Sequence, residues 1–131
     1  DPRSASGLEL LRSRLAELAL MAARRHILFD IWVADRASLN DADAWKSCLE
    51  EGARAAGATI LHTRFHEFKP EGLTGFLMLA ESHISVHTWP AEGYAAIDIF
   101  TCGAMSIDRI VDPIRRCFPA ERESLTDHER G

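Results

Sequence analysis

A stretch of eleven residues, 80–90, constrains the fold most strongly, because apolar and chemically reactive side chains alternate along it. One side of the predicted strand carries the β-branched residues Ile84, Val86 and Thr88. The other side carries the polar and aromatic residues His83, Ser85, His87 and Trp89. A period of two predicts a half-buried β-strand. Imidazole and indole rings suit a cleft better than bulk water, so we expect this second face to contribute to a site.

The remaining segments predict an α/β domain of the α+β type. Alternating or apolar segments predict further strands over residues 25–34, 58–68, 75–80 and 94–102, the first of them central. Apolar residues at helical spacing predict helices over residues 8–24, 40–57 and 106–117. The polar segment 121–130 is expected to form an edge strand or an extended segment. This succession favours a two-layer sandwich: a mostly antiparallel sheet with helices on one face and the other face open to a partner.

The predicted elements contain residues with expected local roles. Asn40-Asp41 is placed to cap the second helix, and Ser106 to cap the third. Pro113 is expected to kink or shorten the third helix unless that helix begins close to it. Cys48 lies on an apolar helical stripe and is expected in the core. Asp30 interrupts an apolar strand, which favours a hydrogen-bonded structural carboxylate over a site residue.

Length and composition limit the possible functions. The chain has 131 residues, 47% hydrophobic and 27% charged, which is typical of one globular domain with a core. Its apolar segments are too short for a membrane span, and no signal-peptide pattern is visible. The net charge of −5 argues against a nucleic-acid partner and is compatible with a small cationic substrate. Three cysteines without paired spacing indicate reduced thiols and a cytoplasmic protein.

The histidines do not form a recognisable metal-binding motif. His62 and His66 are four residues apart on a predicted strand, as are His83 and His87. Four residues on a strand span roughly 13 Å, which is too far for two ligands of one ion. A site with one histidine from each pair stays open, but nothing in the sequence favours it. We therefore expect no catalytic metal.

Several motifs carry a resemblance to a known family. The central ones are Glu81-Ser82-His83, His87-Thr88-Trp89-Pro90 and the run Gly-Tyr-Ala-Ala-Ile-Asp-Ile-Phe-Thr-Cys-Gly over residues 93–103. The flanking ones are Arg25-His26, Phe65-His66-Glu67-Phe68, Pro70-Glu71-Gly72 and His128-Glu129-Arg130-Gly131. On these motifs the chain resembles the small prokaryotic S-adenosylmethionine decarboxylases, which are self-processing, pyruvoyl-dependent enzymes of polyamine and spermidine synthesis.

The resemblance implies a single-domain chain, 1–131, with a decarboxylase domain over residues 24–131 and a helical extension over residues 1–23. It implies self-cleavage between Glu81 and Ser82. An N-to-O acyl shift at Ser82, then β-elimination and hydrolysis, would convert this serine into a pyruvoyl group. That cofactor would form a Schiff base with the substrate amine and accept the electrons released with CO2.

The resemblance also implies roles for three other residues. His87 matches a histidine used in processing, and Cys102 matches the proton donor in decarboxylation. Thr74 stands in place of a serine that supports processing and keeps the hydroxyl. Periodicity does not assemble this group, because Ser82 and His87 are five residues apart, on opposite faces and roughly 17 Å from end to end of an ideal strand. They meet only if the chain bends near Ser82; otherwise His87 acts elsewhere in the site.

Substrate recognition is where the chain departs from the family pattern. Phe68 and Trp89 match the aromatic positions that stack on adenine, and both suit a flat ring or a sulfonium cation. The family glutamate that binds ribose is replaced by Ala91. Glu92 is the next residue, but a shift of one position on a strand turns a side chain to the opposite face. Either the turn is rebuilt so that Glu92 binds, or ribose recognition is weakened, or the substrate is not a nucleoside.

Three hypotheses follow. The first is a pyruvoyl-dependent S-adenosylmethionine decarboxylase. The second is a pyruvoyl-dependent arginine or ornithine decarboxylase on the same scaffold, which Ala91 favours. The third is an unprocessed, non-catalytic homologue that binds a partner through its sheet. The resemblance implies a homodimer of cleaved protomers with sites near the subunit interface, in agreement with the expected open face of the sheet.

Overall fold

The computed structural model describes residues 5–103 and 105–131, without the side chains of residues 5, 17 and 19–22. The helices in these ranges are α1 (Ala5–Ala22), α2 (Ala42–Ala55) and α3 (Ile107–Cys117). The strands are β1 (Arg24–Val33), β2 (Ile60–Glu67), β3 (Leu73–Leu79), β4 (His83–Trp89), β5 (Tyr94–Cys102) and β6 (Ala120–Arg130). Two short 3-10 turns cover Arg36–Asn40 and Pro90–Glu92. The predicted elements are therefore present, with ends shifted by a few residues.

The strands form one sheet in the order β2-β3-β4-β5-β1-β6, and every neighbouring pair is antiparallel. The interior position predicted for the first strand is confirmed, since β1 pairs with β5 on one side and β6 on the other. The predicted edge strand is β6, and all of its residues are exposed. Its polar sequence fits this position, because an edge strand buries little of either face.

The helices α2 and α3 cover one face of the sheet. Their fully buried large side chains are Trp45, Leu49, Ile110, Val111 and Ile114. They join the inward-facing strand residues in one apolar cluster, which includes Ile27, Phe29, Ile84, Ile97 and Ile99. Each such side chain contributes about 1.5–3 kcal/mol on burial. The predicted α/β two-layer sandwich, with an antiparallel sheet and helices on one face, is confirmed.

The alternation in β4 is present as predicted. Ile84 and Val86 are fully buried against the helical layer, and Thr88 is buried beside them. His83, Ser85 and His87 are half-buried on the opposite face, followed by the exposed Trp89. We refer to this second side of the sheet, which α2 and α3 do not cover, as the open face.

The local expectations are met in part. The Asp41 carboxylate accepts a hydrogen bond from the Ala44 amide at 3.0 Å and caps α2. Cys48 is buried in the core, and burial raises the pKa of its thiol. Ser106 occupies the N-cap position of α3, but its side chain makes no capping hydrogen bond. The third helix begins at Ile107, six residues before Pro113, and contains Pro113 as a buried residue, so the alternative of a helix that begins close to Pro113 does not apply.

The first helix is present, and the leucines among its described side chains are exposed. Four leucines of its predicted apolar stripe, Leu8, Leu11, Leu15 and Leu18, are 48–65% exposed. The fifth member of the stripe, Ala22, has a side chain outside the described part of the structure. Such a stripe is expected to pack on the domain or on a partner subunit; the four leucines do not pack on the domain, and packing on a partner stays a prediction. Among the described residues, no helix is both long and apolar enough to span a membrane.

We predict that Gly52→Ala destabilises the fold. A Cβ atom at Gly52 would lie 2.9 Å from the Cα and the carbonyl oxygen of Ile110, where α2 crosses α3. Separating two packed helices costs about 1–3 kcal/mol, which outweighs the gain of about 1 kcal/mol in helix propensity. Urea unfolding measures the difference, and Ser47→Ala on the exposed side of α2 is the matched control. A Gly52→Ala protein as stable as the parent would contradict the close helix contact.

Candidate active site

Ser82 lies in the turn between β3 and β4 rather than within β4. Two backbone hydrogen bonds hold this turn: the Leu79 amide donates to the Ser82 carbonyl, and the Ala80 amide donates to the Thr59 carbonyl, each at 3.0 Å. The Ser82 hydroxyl is buried and has no hydrogen-bond partner among the described residues. Leaving a buried hydroxyl unsatisfied costs about 1–3 kcal/mol. The fold therefore holds a nucleophilic oxygen out of water without engaging it.

The Ser82 turn borders a cavity of about 310 Å³, which we call the processing cavity. Its lining includes Glu81, Ser82 and, from the end of β5, the free thiol of Cys102. Cys102 is half-buried, and Met105 lies beside it in the lining. The structure thus brings together two of the three predicted catalytic residues, a hydroxyl and a thiol. The predicted cleavage junction lies in the same cavity.

A second cavity of about 380 Å³ lies at the other end of β4, and we call it the aromatic cavity. Phe68 and Trp89 line it, together with Thr74 and His87. The Thr74 hydroxyl and His87 Nδ1 are 2.9 Å apart and hydrogen-bonded, as expected for residues directly opposite each other on β3 and β4. Glu71 also lines this cavity. The predicted aromatic positions and the predicted processing pair therefore share one space.

The two cavities divide the residues that the sequence analysis grouped as catalytic. Ser82 lies before the first residue of β4, whereas His87 lies near its end. The chain does turn at Ser82, but β4 then runs as one continuous paired strand from His83 to Trp89, so His87 lies toward the other end of this strand. Within one chain, Ser82 and Cys102 line one cavity, whereas His87 and Thr74 are hydrogen-bonded in the other.

The residues after Pro90 do not place Glu92 in the lining of the aromatic cavity. Ala91 and Glu92 lie in the 3-10 turn, and both are exposed. Glu92 does not line the aromatic cavity, whereas Glu71 does. The guanidinium of Arg36 holds the turn by donating to the Ala91 carbonyl at 2.6 Å. The sequence analysis missed Glu71 as a carboxylate for this cavity, although its motif Pro70-Glu71-Gly72 is one of those that carry the family resemblance.

An aromatic stack supports Trp89 on the open face. The rings of Trp89 and Tyr94 are 5.3 Å apart, and those of Tyr94 and Trp32 are 5.2 Å apart, all close to parallel. The Tyr94 hydroxyl donates to Asp30 at 2.5 Å, so Asp30 has the hydrogen bond expected of a structural carboxylate. Burial and this acceptor raise the pKa of Tyr94 to about 12. Pairing across three strands creates the stack, so no single segment signals it.

A second ring cluster lies beside the Ser82 turn. His83 stacks between Phe76 and Phe100, with ring centroids 5.7 and 5.8 Å away. Burial, and then the neighbouring His26, lower the pKa of His83, while Asp98 acts in the opposite direction. His26 is itself paired with Asp98 at 3.2 Å. His83 therefore resembles an aromatic packing residue more than a proton carrier.

Residues 5–103 and 105–131 contain no arrangement of side chains typical of a metal-binding site. No group of three or more His, Cys, Asp or Glu side chains in these ranges is arranged to hold an ion. The histidine pairs considered from the sequence are distributed along β2 and β4.

Fold and site together define a class: an α/β two-layer sandwich in which a buried serine follows an acidic residue in a hairpin turn and shares a cavity with a thiol. The family model described as S-adenosylmethionine decarboxylase matches residues 25–131. The chain belongs to the S-adenosylmethionine decarboxylase family. The family predicted from the motifs is thereby confirmed.

Individual relatives agree with this membership. A protein of Methanococcus vannielii named S-adenosylmethionine decarboxylase proenzyme is 40% identical over 108 residues, covering 82% of this chain and 88% of the relative. A Thermotoga maritima protein of the same name is 37% identical, covering 82% and 83%. The crystal structure of the Aquifex aeolicus adenosylmethionine decarboxylase superposes with a TM-score of 0.74 at 33% identity, covering 84% and 92%.

A more distant structure shares only the fold. The Trypanosoma brucei AdoMetDC-delta26 monomer superposes with a TM-score of 0.56 at 14% identity, covering 79% of this chain and 44% of the other.

Proposed function

We propose that this protein is a self-processing S-adenosylmethionine decarboxylase that cleaves itself between Glu81 and Ser82. Family membership supports the activity. The observation that carries the residue assignment is the buried, unpartnered Ser82 hydroxyl, which borders the same cavity as Cys102. An oxygen without a hydrogen bond is free to turn toward a neighbouring carbonyl carbon. The hairpin turn places the Glu81 carbonyl directly before it in the chain.

Processing would proceed in three steps: an acyl shift, an elimination and a hydrolysis. Ser82 Oγ attacks the Glu81 carbonyl carbon and gives up its proton to a base; the peptide C–N bond then breaks and the nitrogen is protonated, leaving an ester. Loss of the Ser82 Cα proton expels the Glu81 carboxylate and leaves a dehydroalanine. Water then hydrolyses its imine tautomer and releases ammonia. The first chain ends at Glu81, and the second begins with a pyruvoyl group.

The pyruvoyl group fits the processing cavity, because its oxygen and carbon atoms would replace those of a serine already buried there. When bound to substrate, this group supplies the electron sink for release of CO2. Cys102 has the complementary task of delivering a proton to the product carbon. Its position in the same cavity as Ser82 supports this role.

The aromatic cavity is the proposed substrate-binding region. The rings of Phe68 and Trp89 line it and suit a flat adenine ring or the sulfonium cation of S-adenosylmethionine. Glu71 adds a carboxylate that can attract the positive charge or accept from a hydroxyl. Because Glu92 does not line this cavity, we assign the acceptor role to Glu71 rather than to Glu92.

We further propose that the active enzyme is a homodimer that joins the two cavities. His87 lies four strand residues, roughly 13 Å, beyond the first residue of β4, whereas Ser82 lies in the turn before that residue, so we infer that His87 does not serve Ser82 of its own chain. The open face bears exposed or half-buried rings of His83, Trp89 and Tyr94 and is not covered by α2 or α3. A second copy on this face would bring its own His87 and Thr74 to the Ser82 turn.

We predict that the purified protein consists of two chains, divided at Glu81 and Ser82, and that Ser82→Ala gives one uncut chain. Alanine lacks the attacking oxygen, so no ester can form. Intact mass under denaturing conditions measures the result, and Ser85→Ala on the open face is the control that still cleaves. A single chain in the parent protein after prolonged incubation would favour a non-catalytic homologue, and cleavage of Ser82→Ala would refute the junction.

For catalysis, we expect the parent protein to release CO2 from carboxyl-labelled S-adenosylmethionine. Processed Cys102→Ala is expected to lose turnover by about a hundredfold or more. The thiol supplies the proton to the product carbon, so its removal blocks turnover rather than binding. The exposed Cys117 provides the matched control, Cys117→Ala, with near-parental turnover. Labelled arginine and ornithine are assayed in parallel. Release from these amino acids alone would overturn the substrate assignment and leave the pyruvoyl chemistry intact.

The dimer is tested by complementation between two inactive chains. His87→Ala is expected to remain uncut when produced alone. Co-production with Ser82→Ala should restore cleavage of the His87→Ala chain. In a mixed dimer, the Ser82 of the His87→Ala chain lies beside the intact His87 of the Ser82→Ala chain. Distinct tags and intact masses identify each chain. Absence of cleavage in verified mixed dimers, or efficient cleavage of His87→Ala alone, would contradict action across the interface.

A further inference from the structure

A second buried hydroxyl, that of Thr101 in β5, also has no hydrogen-bond partner among the described residues. Thr101 is fully buried, so its side chain is out of contact with bulk water. Buried polar groups are nearly always hydrogen-bonded, so such an exception requires an explanation. The comparable buried residue Thr88 is satisfied, since its hydroxyl accepts from the Leu73 amide at 3.0 Å. The missing partner is therefore particular to Thr101 and not a general property of threonines in this core.

Strand register places Thr101 next to the Ser82 turn. β4 and β5 pair Ile84 with Ile99 and His83 with Phe100. The printed pairing ends there, and continuing the same register by one position into the turn would set Ser82 opposite Thr101. Directly opposed residues in an antiparallel pair have Cα atoms about 4.5–5.5 Å apart and share a face of the sheet. Two uncommitted hydroxyls therefore occupy neighbouring positions at the end of the ladder, and the next residue of β5 is Cys102.

We propose that the Thr101 hydroxyl donates a hydrogen bond to the oxyanion formed during self-cleavage. This inference rests on the proposed function. As Ser82 Oγ bonds to the Glu81 carbonyl carbon, the electron pair of the C=O double bond moves onto its oxygen. That oxygen later returns the pair as the C–N bond breaks. Thr101 keeps its own proton throughout and contributes only a hydrogen bond to the charged oxygen.

The uncommitted state of Thr101 suits this role. Catalysis depends on interactions that are stronger in the transition state than in the ground state. A donor already bonded in the uncut chain would have to break that bond before it could help. Because Thr101 has no such bond, its full hydrogen-bonding capacity becomes available only when negative charge develops beside it.

The test is the cleavage rate of full-length Thr101→Val, a change that removes the hydroxyl and preserves the shape. Chains are synthesised in a cell-free system, synthesis is stopped, and the uncut fraction is followed by denaturing electrophoresis. We expect cleavage to slow on the order of tenfold to a hundredfold. The urea midpoint of uncut chains, compared in the Ser82→Ala background, should stay level or rise, because an unsatisfied buried hydroxyl is replaced by a methyl group. A merely structural hydroxyl would produce the opposite pattern, with lower stability and an unchanged rate.

Two further variants separate the proposed role of the Thr101 hydroxyl from the effect of removing a threonine hydroxyl elsewhere in the fold. Thr101→Ser keeps the hydroxyl and should cleave close to the parental rate, whereas cleavage as slow as that of Thr101→Val overturns the proposal. Thr63→Val removes a hydroxyl that donates to Glu50 at 2.9 Å, so it should lower stability and leave cleavage unchanged. Equal slowing by Thr63→Val would also overturn it. A parent chain that never cleaves refutes the proposed function itself, whereas parental cleavage with an unaffected Thr101→Val refutes only this inference.

Discussion

The pairing of β4 with β3 on one side and β5 on the other determines the position of every group at the site. These two ladders set Thr74 opposite His87 and Phe100 opposite His83. Both ladders depend on the burial of Ile84 and Val86, because a slip of one residue would move them from the apolar layer to the open face. Burial of the hydrophobic face of β4 thus sets the register that positions the side chains on its reactive face. A strand with two polar faces would not hold the same side chains in register.

The uncut chain keeps its reactive oxygen in an unfavourable state. A buried hydroxyl without a partner destabilises the fold, so the core around Ser82 and Thr101 gives up a small part of its stability. The free energy of unfolding of a native domain is only about 5–15 kcal/mol. Such a cost is therefore significant, but a well-packed layer can offset it. The helical layer of α2 and α3 supplies the compensating burial. Apolar burial on one face of the sheet thereby offsets the cost of the two unsatisfied hydroxyls at the end of the β4–β5 pairing.

The open face has a different composition from the packed face. Its aromatic side chains stack across strands, from Trp89 through Tyr94 to Trp32, with the Arg122 guanidinium 3.9 Å above the last ring. Stacked rings restrict side-chain motion, so the rings present a preformed surface at low entropic cost. Such a surface suits a second subunit and a flat ligand equally well. The proposed dimer uses both properties, since the aromatic cavity borders the same face.

The sequence by itself determined the elements, the two faces of β4, the cap at Asp41 and the core position of Cys48, because local periodicity and capping chemistry express them directly. Its motifs also determined the family. Tertiary structure alone decided that Ser82 shares a cavity with Cys102 and not with His87, and that Glu71 rather than Glu92 lines the aromatic cavity. It also decided that the Thr101 hydroxyl has no hydrogen-bond partner within residues 5–103 and 105–131. These relations depend on the register between strands distant in sequence and on where each turn begins, which the pattern within a single segment does not encode.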